Sequence, residues 1–496
     1  MIASPRRWSG PVRTGAAFGL GAVMAAGQAP LEAWWLTLPA LSAVIWLITM
    51  ATGPRPAFRL GLFAGAGYFA AALNWIIEPF LIDVARHGWM APFAVVLLAF
   101  GLGLFWAAAA ALAHLRPFGG RALAVALTLT TAEMLRGTLF TGFPWALIGH
   151  VWIGTPVAQV AALAGPDGLT LLTTLAAALP VALGPSGLGA GAVLVAAATC
   201  YGLWHLDAPG PSAASVTLRL VQPNAEQHLK WDADRARVYF ERQLAYTAAL
   251  PRPDLTIWPE TAVPYLLENA PGALAAISIA AADRPVVVGI QRTDGWRGFN
   301  SMAVVGPGGL VTGLYDKHHL VPFGEYIPFG DLAYDLLGLR AFAAQEGNGY
   351  SAGVGAAVLD LGPGLGTILP LICYEAVFPQ DIRSAPSRPD WILQITNDAW
   401  FGTLTGPYQH LAQARLRAIE QGLPLVRVAN TGVSAVIDAQ GRITAQIPLG
   451  EAAFLDATLP AALPATPFSR LGQIPVWLLL AGLAAVLLIR RVPARP

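Results

Sequence analysis

Glu260, Lys317 and Cys373 each follow a stretch with the apolar pattern of a β-strand. Cysteine reacts as the thiolate, which a neighbouring cation stabilises. A carboxylate can take the thiol proton and later handle the proton of an amine or of water. A lysine, together with a backbone N–H beside the cysteine such as that of Tyr374, can stabilise a tetrahedral oxyanion. If the three side chains meet, they suit acyl transfer through a thioester.

Each of these residues also has a structural interpretation. A lone cysteine is often a small buried hydrophobic residue, and the second cysteine, Cys200, lies in an apolar stretch. Taken alone, Glu260 fits a surface or capping carboxylate, and Lys317 fits a solvated side chain. Spacing cannot show that the three meet, so the surrounding segments must decide.

The composition of the chain indicates a membrane protein. Its 496 residues are 55% hydrophobic and only 12% charged, whereas soluble proteins carry about 25% charged residues. The net charge of +1 gives no global field that would favour nucleic acid. The two cysteines, in such different settings, do not suggest a disulfide framework. Because no cluster of cysteines and histidines has metal-ligand spacing, we predict no metal and no cofactor.

Polarity divides the chain into three parts. Residues 1–210 form a predicted bundle of seven transmembrane helices, residues 215–460 a soluble domain, and residues 470–496 a closing helix with a tail. A crossing helix needs about 20 apolar residues. The eight predicted spans lie at 14–31, 33–51, 58–81, 90–114, 122–138, 160–183, 187–206 and 472–490.

Arginines indicate the orientation. With eight spans, most loop and terminal arginines fall on one side, which the positive-inside rule places in the cytoplasm. The soluble domain would then face outward, which predicts a multi-pass protein of the bacterial inner membrane with a periplasmic domain. The arginines are Arg6, Arg7, Arg13, Arg55, Arg59, Arg116, Arg121, Arg490, Arg491 and Arg495.

The soluble segment alternates strand patterns with amphipathic helix patterns at 231–249 and 408–421. This alternation predicts a layered α/β domain. Polar residues cluster where the predicted strands end, which is the usual place for a site in an open α/β sheet.

Three segments of the soluble part resemble the nitrilase (carbon–nitrogen hydrolase) superfamily, in the same order and at wide spacing. The resemblance implies an αββα sandwich with a Glu-Lys-Cys triad at Glu260, Lys317 and Cys373, and Glu325 as a supporting carboxylate. The segments are Trp258-Pro259-Glu260-Thr261, residues 315–326 (YDKHHLVPFGEY) and Ile372-Cys373-Tyr374-Glu375.

Over nearly its whole length the chain resembles the apolipoprotein N-acyltransferase family, the membrane-bound branch of this superfamily. A nitrilase-like domain between seven spans and one closing span is typical of that branch. Further matching pieces are Gly142-Phe143-Pro144-Trp145, Val221-Gln222-Pro223-Asn224 and Lys230-Trp231-Asp232. The family implies transfer of an acyl chain from a phospholipid, usually phosphatidylethanolamine, to the cysteine and then to the amine of a diacylated apolipoprotein. Pro223 departs from the small residue of many relatives.

Four further residues could also take part in the reaction. Trp145 and Trp231 could contact acyl chains or guard the entrance, or they could be interfacial anchors or core residues. Tyr374 could help shape the oxyanion hole. Glu375 could order Lys317 or favour the start of a helix.

Two other functions compete with this hypothesis. A membrane-tethered amidase would use water as the second nucleophile and would need no lipid. A transporter with an outer binding domain is compatible with seven spans, but it would not require the Glu-Lys-Cys set. We predict a ping-pong acyltransferase that acts as a monomer on a phospholipid donor and a lipoprotein acceptor, without nucleic acid.

Overall fold

The computed structural model of the chain describes residues 9–115, 118–207, 216–328 and 349–489. The chain divides into two compact units. The first, called the helical unit, comprises Met1–Pro209, Leu404–Gln421 and Ala465–Pro496; the second, called the sheet unit, comprises Gly210–Thr403 and Gly422–Pro464. Several arginines used to predict orientation lie outside the described residues: Arg6, Arg7, Arg116, Arg490, Arg491 and Arg495.

Fifteen helices are labelled along the described chain. They are α1 (Gly10–Met24), α2 (Trp34–Thr49), α3 (Pro54–Ala72), α4 (Glu78–Leu81), α5 (Val84–His87), α6 (Ala91–Ala113), α7 (Phe118–Arg136), α8 (Ala161–Leu183), α9 (Pro185–Asp207), α10 (Ala233–Ala248), α11 (Pro271–Ala280), α12 (Pro379–Arg383), α13 (Gly406–Gln421), α14 (Pro467–Leu471) and α15 (Ile474–Ile489). Short 3₁₀ turns extend or connect several of them.

Among the described residues, three helical segments are long and apolar enough to cross a membrane: Val84–Ala113, Pro156–Leu183 and Pro185–Asp207. A fourth is reached if α3 and Asn74–Leu81, which meet at a bend of 67°, form one span. This bend interrupts the predicted span at 58–81. The helical region is therefore established with about three spans, and eight spans remain a prediction.

Four other predicted spans correspond to helices that do not meet the same criterion. α1, at the predicted span 14–31, has only 15 residues. α2 and α15 are apolar but shorter. α7 carries Arg121, Glu133 and Arg136, which lower its hydropathy. Sequence windows of 17 to 19 residues included turn residues that the folded helices leave out.

In the described part of the sheet unit, twelve strands form two six-stranded sheets. The first sheet has the order β12-β1-β2-β3-β4-β5 and the second β11-β10-β9-β8-β7-β6. The strands are β1 (Thr217–Gln222), β2 (Leu255–Ile257), β3 (Val286–Asp294), β4 (Arg297–Val305), β5 (Val311–Asp316), β6 (Leu359–Asp360), β7 (Thr367–Ile372), β8 (Trp391–Thr396), β9 (Leu425–Ala429), β10 (Ser434–Ile437), β11 (Ile443–Ile447) and β12 (Ala453–Thr458).

One core joins the facing surfaces of the two sheets. Leu218, Ile257 and Met302 of the first sheet pack in the same buried cluster as Ile372 and Leu393 of the second. On the outer face of the first sheet, α10 and α11 bury a second apolar cluster that includes Phe240 and Ile277. β1, β2 and β3 run parallel, as do β7, β8 and β9. The carboxyl ends of the parallel strands therefore lie at one edge of each sheet.

The strand patterns of the soluble segment correspond to β1 to β5 and β7 to β10, and β4 pairs with β5 as an antiparallel hairpin. α13 lies between β8 and β9 in sequence, yet it belongs to the helical unit. Its residues Ala412, Leu416 and Ile419 join an apolar cluster with Trp152 and Leu169 of that unit. The helical unit thus includes a segment from within the predicted soluble range.

Candidate active site

Cys373 begins the turn that follows β7, and its backbone is strained. Its φ of 52° lies in the left-handed region, which is uncommon for residues other than glycine. The residue is 5% exposed. Gln394 Nε2 donates to the Cys373 carbonyl oxygen at 3.0 Å, and the preceding N–H, that of Ile372, donates to Glu375 Oε2 at 2.7 Å. These bonds on both sides of the residue maintain the strained turn that presents the thiol.

Lys317 directly follows β5 and is 1% exposed. Its backbone N–H donates to the Asn300 carbonyl oxygen of β4 at 2.9 Å, which continues the sheet pairing by one residue. Its Nζ lies 2.8 Å from Glu325 Oε2 and 3.9 Å from Glu260 Oε1. The ammonium therefore stands between two buried carboxylates.

Glu260 follows β2 in a turn that approaches β3 closely. A Cβ at Gly289 of β3 would lie 2.6 Å from the Glu260 Cα, so only glycine leaves room for this turn. Asn300 Nδ2 donates to Glu260 Oε1 at 2.7 Å and to Glu325 Oε1 at 3.3 Å. Glu325 Oε2 also accepts the N–H of Val321 at 2.9 Å. Asn300 and Lys317 thus hold the two carboxylates side by side.

Electrostatics at the site favour a protonated thiol at rest and a strong base beside it. Burial raises the pKa of the Cys373 thiol well above its usual range, and Glu260 raises it further, while Lys317 and a hydrogen bond with Thr396 act in the opposite direction. Burial also raises the pKa of Glu260, although Lys317 opposes that shift. Burial would lower the pKa of Lys317, but Glu325, Glu260 and Cys373 together raise it. Lys317 therefore stays charged while a proton moves between the thiol and the carboxylate.

Glu375 is fully buried and connects the cysteine turn to the segment after β5. Its Oε1 accepts the Tyr315 hydroxyl at 2.8 Å, the N–H of His318 at 2.8 Å and that of His319 at 3.3 Å. Although burial opposes it, the His318 side chain, the N–H of Ile372 and the charge of Lys317 lower the pKa of Glu375. The carboxylate is thus an internal acceptor that fixes Lys317 relative to Cys373, which favours the ordering role over that of a helix start.

Tyr374 packs behind the nucleophile rather than against solvent. It is 4% exposed, and its ring contacts those of His319 and Phe378 at centroid distances of 5.7 and 4.8 Å. The His319 ring in turn donates from Nδ1–H to Asp381 Oδ2 at 2.7 Å. This packing restrains the backbone from which the Tyr374 N–H would act on an oxyanion.

Trp231 lines a small cavity that reaches Glu260. The cavity has a volume of about 20 Å³, and Trp231, which is 37% exposed, forms part of its wall with Lys230, Tyr239 and Thr261. Lys230 Nζ lies 5.5 Å from the centroid of the Trp231 ring. The predicted substrate residue therefore lies in the same unit as the candidate triad and lines one cavity with Glu260.

Trp145 lies in the helical unit and is 1% exposed. Its indole N–H donates to Gln409 Oε1 at 2.8 Å, and its ring packs on Trp75 at 4.6 Å between centroids. Its carbonyl oxygen accepts from Arg136 Nη1 at 3.0 Å. These contacts favour packing over a lipid-contacting role for Trp145.

Two polar residues of the site were not singled out from the sequence. Asn300 lies on β4 with no motif around it, so only the pairing of β4 with β5 reveals its position. Lys230 stands in the segment Lys230-Trp231-Asp232, and a count of lysines, of which the chain has two, would have drawn attention to it. In the described part of the chain, no group of three or more His, Cys, Asp or Glu side chains could hold a metal ion.

The chain is similar to known proteins over nearly its whole length. Residues 20–179 match the family model of the apolipoprotein N-acyltransferase N-terminal domain, and residues 214–466 match the carbon–nitrogen hydrolase model. The apolipoprotein N-acyltransferase of Rhodopseudomonas palustris is 38% identical over 95% of this chain and 94% of its own length. That of Bradyrhizobium diazoefficiens is 39% identical over 95% and 93%. That of Brucella suis is 37% identical over 95% and 93%.

Proposed function

This chain belongs to the apolipoprotein N-acyltransferase family, and we propose that Glu260, Lys317 and Cys373 carry out its acyl transfer. The enzyme is an N-acyltransferase that moves an acyl group from a donor to a lipoprotein. We propose phosphatidylethanolamine as the donor and the N-terminal amine of a diacylglyceryl-cysteine lipoprotein as the acceptor. The observation that carries the assignment is the ammonium of Lys317 between Glu260 and Glu325, with its electrostatic coupling to Cys373.

In the first half-reaction, the Cys373 sulfur attacks the ester carbonyl carbon of the phospholipid while Glu260 takes the thiol proton. The new C–S bond places negative charge on the carbonyl oxygen, which Lys317 and the Tyr374 N–H stabilise. When the oxyanion collapses, the C–O bond to glycerol breaks and Glu260 returns its proton to the leaving oxygen. Lysophospholipid departs, and the acyl group remains on Cys373 as a thioester.

In the second half-reaction, the neutral amine of the lipoprotein cysteine attacks the thioester carbonyl. Glu260 takes a proton from the amine, the C–S bond breaks, and the proton passes to the departing thiolate. The product is an amide, and the enzyme returns to its starting state. Because lysophospholipid departs before the amine reacts with the thioester, the enzyme follows a ping-pong scheme, and Glu260 serves as the base in both halves.

The supporting residues act through the triad in this scheme. Glu325 holds Lys317, Glu375 fixes the cysteine turn, and Trp231 borders the approach to Glu260. Both proposed substrates are anchored in lipid, so a site fixed to a membrane bundle meets them where they reside. We propose a monomer in the bacterial inner membrane with the sheet unit in the periplasm, consistent with the apolar helices.

Mass spectrometry of Cys373 tests the proposal. The purified full chain is incubated with phosphatidylethanolamine, and the peptide that contains Cys373 is weighed before and after a diacylated lipopeptide is added. We expect an added acyl mass that disappears as triacylated lipopeptide forms. Cys200 supplies an internal control, because it should remain unmodified. Full acyl transfer by C373A would contradict the scheme.

The competing amidase uses the same triad, so the donor distinguishes the two functions. An amidase would hydrolyse small amides and form no lasting thioester with phospholipid alone. The family assignment does not favour this alternative. Rapid amide hydrolysis without an added acyl mass on Cys373 would support the amidase function instead.

A further inference from the structure

The chain contains 30 lysines and arginines, and only Lys230 and Lys317 are lysines. Both are buried, with 7% and 1% of their surface exposed. Both also exert electrostatic effects on the carboxylate of Glu260. Arginine carries a broad planar fork, whereas lysine carries a compact ammonium with three donors. The only two lysines of the chain, in which every other position of this kind is arginine, thus both act on one glutamate.

Lys230 holds the turn that carries Glu260. Its Nζ donates to Thr261 Oγ1 at 2.6 Å and to the Glu260 carbonyl oxygen at 3.2 Å. The φ of Thr261 is 47°, a strained value for a β-branched residue. Strained backbone persists where surrounding contacts over-determine it. Lys230 makes two such contacts with this turn.

The position is costly for a charged side chain. Burial lowers the pKa of Lys230 to about 8, against the opposing effect of Glu260. Among the residues that line the cavity beside it, Glu260 is the acidic side chain and Tyr239 the other titratable one. Glu260 itself also faces Lys317 and Glu325. A neutral residue would avoid the cost, which argues that the charge has a purpose.

We propose that Lys230 is a positioning residue of the acyl-transfer site, which fixes the Glu260–Thr261 turn and places a second positive charge beside the Glu260 carboxylate. The inference rests on the proposed function, in which Glu260 is the base. A cation near a carboxylate favours the ionised form, so Lys230 keeps the buried base ready at lower pH. It also joins the segment that carries Trp231 to the turn that carries the base.

The variant K230M removes the charge and both hydrogen bonds, while the side chain keeps a similar length. T261V is the matched control, since it removes the bond at Oγ1 and leaves the charge. We expect K230M to slow acyl transfer by about tenfold or more and T261V by less. In the pH profile of kcat/KM, the acid limb should move upward by about half a unit or more in K230M and remain in place in T261V and K230R. A purely structural role would lower the rate without moving the limb, and that result would overturn the proposal.

If K230M transfers no acyl group, the limb is read from the pH dependence of Cys373 alkylation by iodoacetamide, followed by mass spectrometry. A second measurement needs no substrate. The full chain labelled with [13Cε]lysine should show two lysine signals, and one, absent from K230M, should titrate near pH 8. A second signal that titrates below pH 7 would mean an uncharged Lys230 at neutral pH and would overturn the proposal. Because this titration requires no acyl transfer, its failure is distinct from failure of the proposed function.

Discussion

The substitution E375Q tests how the cysteine turn is held to the segment that carries Lys317. Glu375 accepts on one oxygen from Ile372 N–H and on the other from Tyr315 Oη–H and His318 N–H. Glutamine has almost the same shape but only one carbonyl oxygen. Whichever way its amide is turned, an NH₂ group faces at least one of these buried donors.

The magnitude follows from what the amide loses. A hydrogen bond to a charged group contributes about 1.5–3 kcal/mol, and a buried donor left without an acceptor costs about 1–3 kcal/mol. If the glutamine oxygen accepts from Tyr315 and His318, its NH₂ group faces the Ile372 N–H, and that hydrogen bond is lost. The loss occurs next to the strained backbone of Cys373. At about 1.4 kcal/mol for each factor of ten, a loss of 2–4 kcal/mol in the transition state corresponds to roughly 30- to 1,000-fold in rate.

The assay is the single-turnover rate of thioester formation on Cys373, measured with phospholipid alone. Y315F is the graded control, because it removes a single donor to Glu375 and leaves the carboxylate and its backbone bonds in place. We expect Y315F to lose about 3- to 10-fold, in line with about 0.5–1.5 kcal/mol for an ordinary hydrogen bond. H318N, which retains the backbone N–H but removes the ring, should fall between the two.

The refuting result is equally specific. If E375Q forms the thioester within threefold of the parent while its thermal unfolding is unchanged, Glu375 does not hold the turn. A loss in E375Q that disappears at high phospholipid concentration would assign Glu375 to donor binding. Neither result is compatible with a buried acceptor that acts through the geometry of Cys373.

Three further outcomes follow from the site and from Trp145. Burial raises the pKa of Glu260, and only its ionised form accepts a proton, so the rate of acyl transfer should rise with pH through a midpoint above the ordinary glutamate pKa of about 4.3. E260Q should be inactive at every pH. A midpoint at or below pH 4.3 would contradict this prediction. K317M should leave two buried carboxylates without their shared cation, which lowers the free energy of unfolding by about 3–5 kcal/mol in chemical denaturation, whereas the double variant K317M/E325Q should recover part of the loss. W145F should lose one buried hydrogen bond, worth about 1 kcal/mol, and lower Tm with an unchanged KM for phospholipid; a raised KM with unchanged Tm would instead support acyl-chain contact.

Local patterns in the sequence predicted much of the sheet unit. β2, β7 and β8 are short apolar runs bounded by polar residues or proline, so their type and position follow from pattern alone. The pattern also placed Glu260 and Cys373 just after strands. It could not show that β2 and β7 belong to different sheets whose facing surfaces share one core, because strand pairing is a long-range property.

Other features could not be read from the sequence for identifiable physical reasons. A hydropathy window measures the composition of a segment and not the direction of its helix axis, so the predicted span at 58–81 includes the bend after Ala72. α13 has the amphipathic pattern of a soluble-domain helix, yet its apolar face packs in the helical unit. Asn300 is an ordinary strand residue in sequence. Its role depends on the fold, which brings the carboxylates of Glu260 and Glu325 within hydrogen-bond distance of its amide.

The balance of buried charge explains how a thiol can be activated in a buried site. The carboxylates of Glu260 and Glu325 face the ammonium of Lys317, and Lys230 exerts a further electrostatic effect on Glu260. Transfer of the Cys373 proton to Glu260 moves one negative charge from oxygen to sulfur and leaves the net charge of the site unchanged. Burial raises the pKa of both Cys373 and Glu260, because it disfavours the thiolate and the carboxylate. It does not disfavour the proton transfer itself, in which one of these anions replaces the other. Without Lys230 the same exchange would take place in a site with one excess negative charge, where a developing oxyanion is least tolerated.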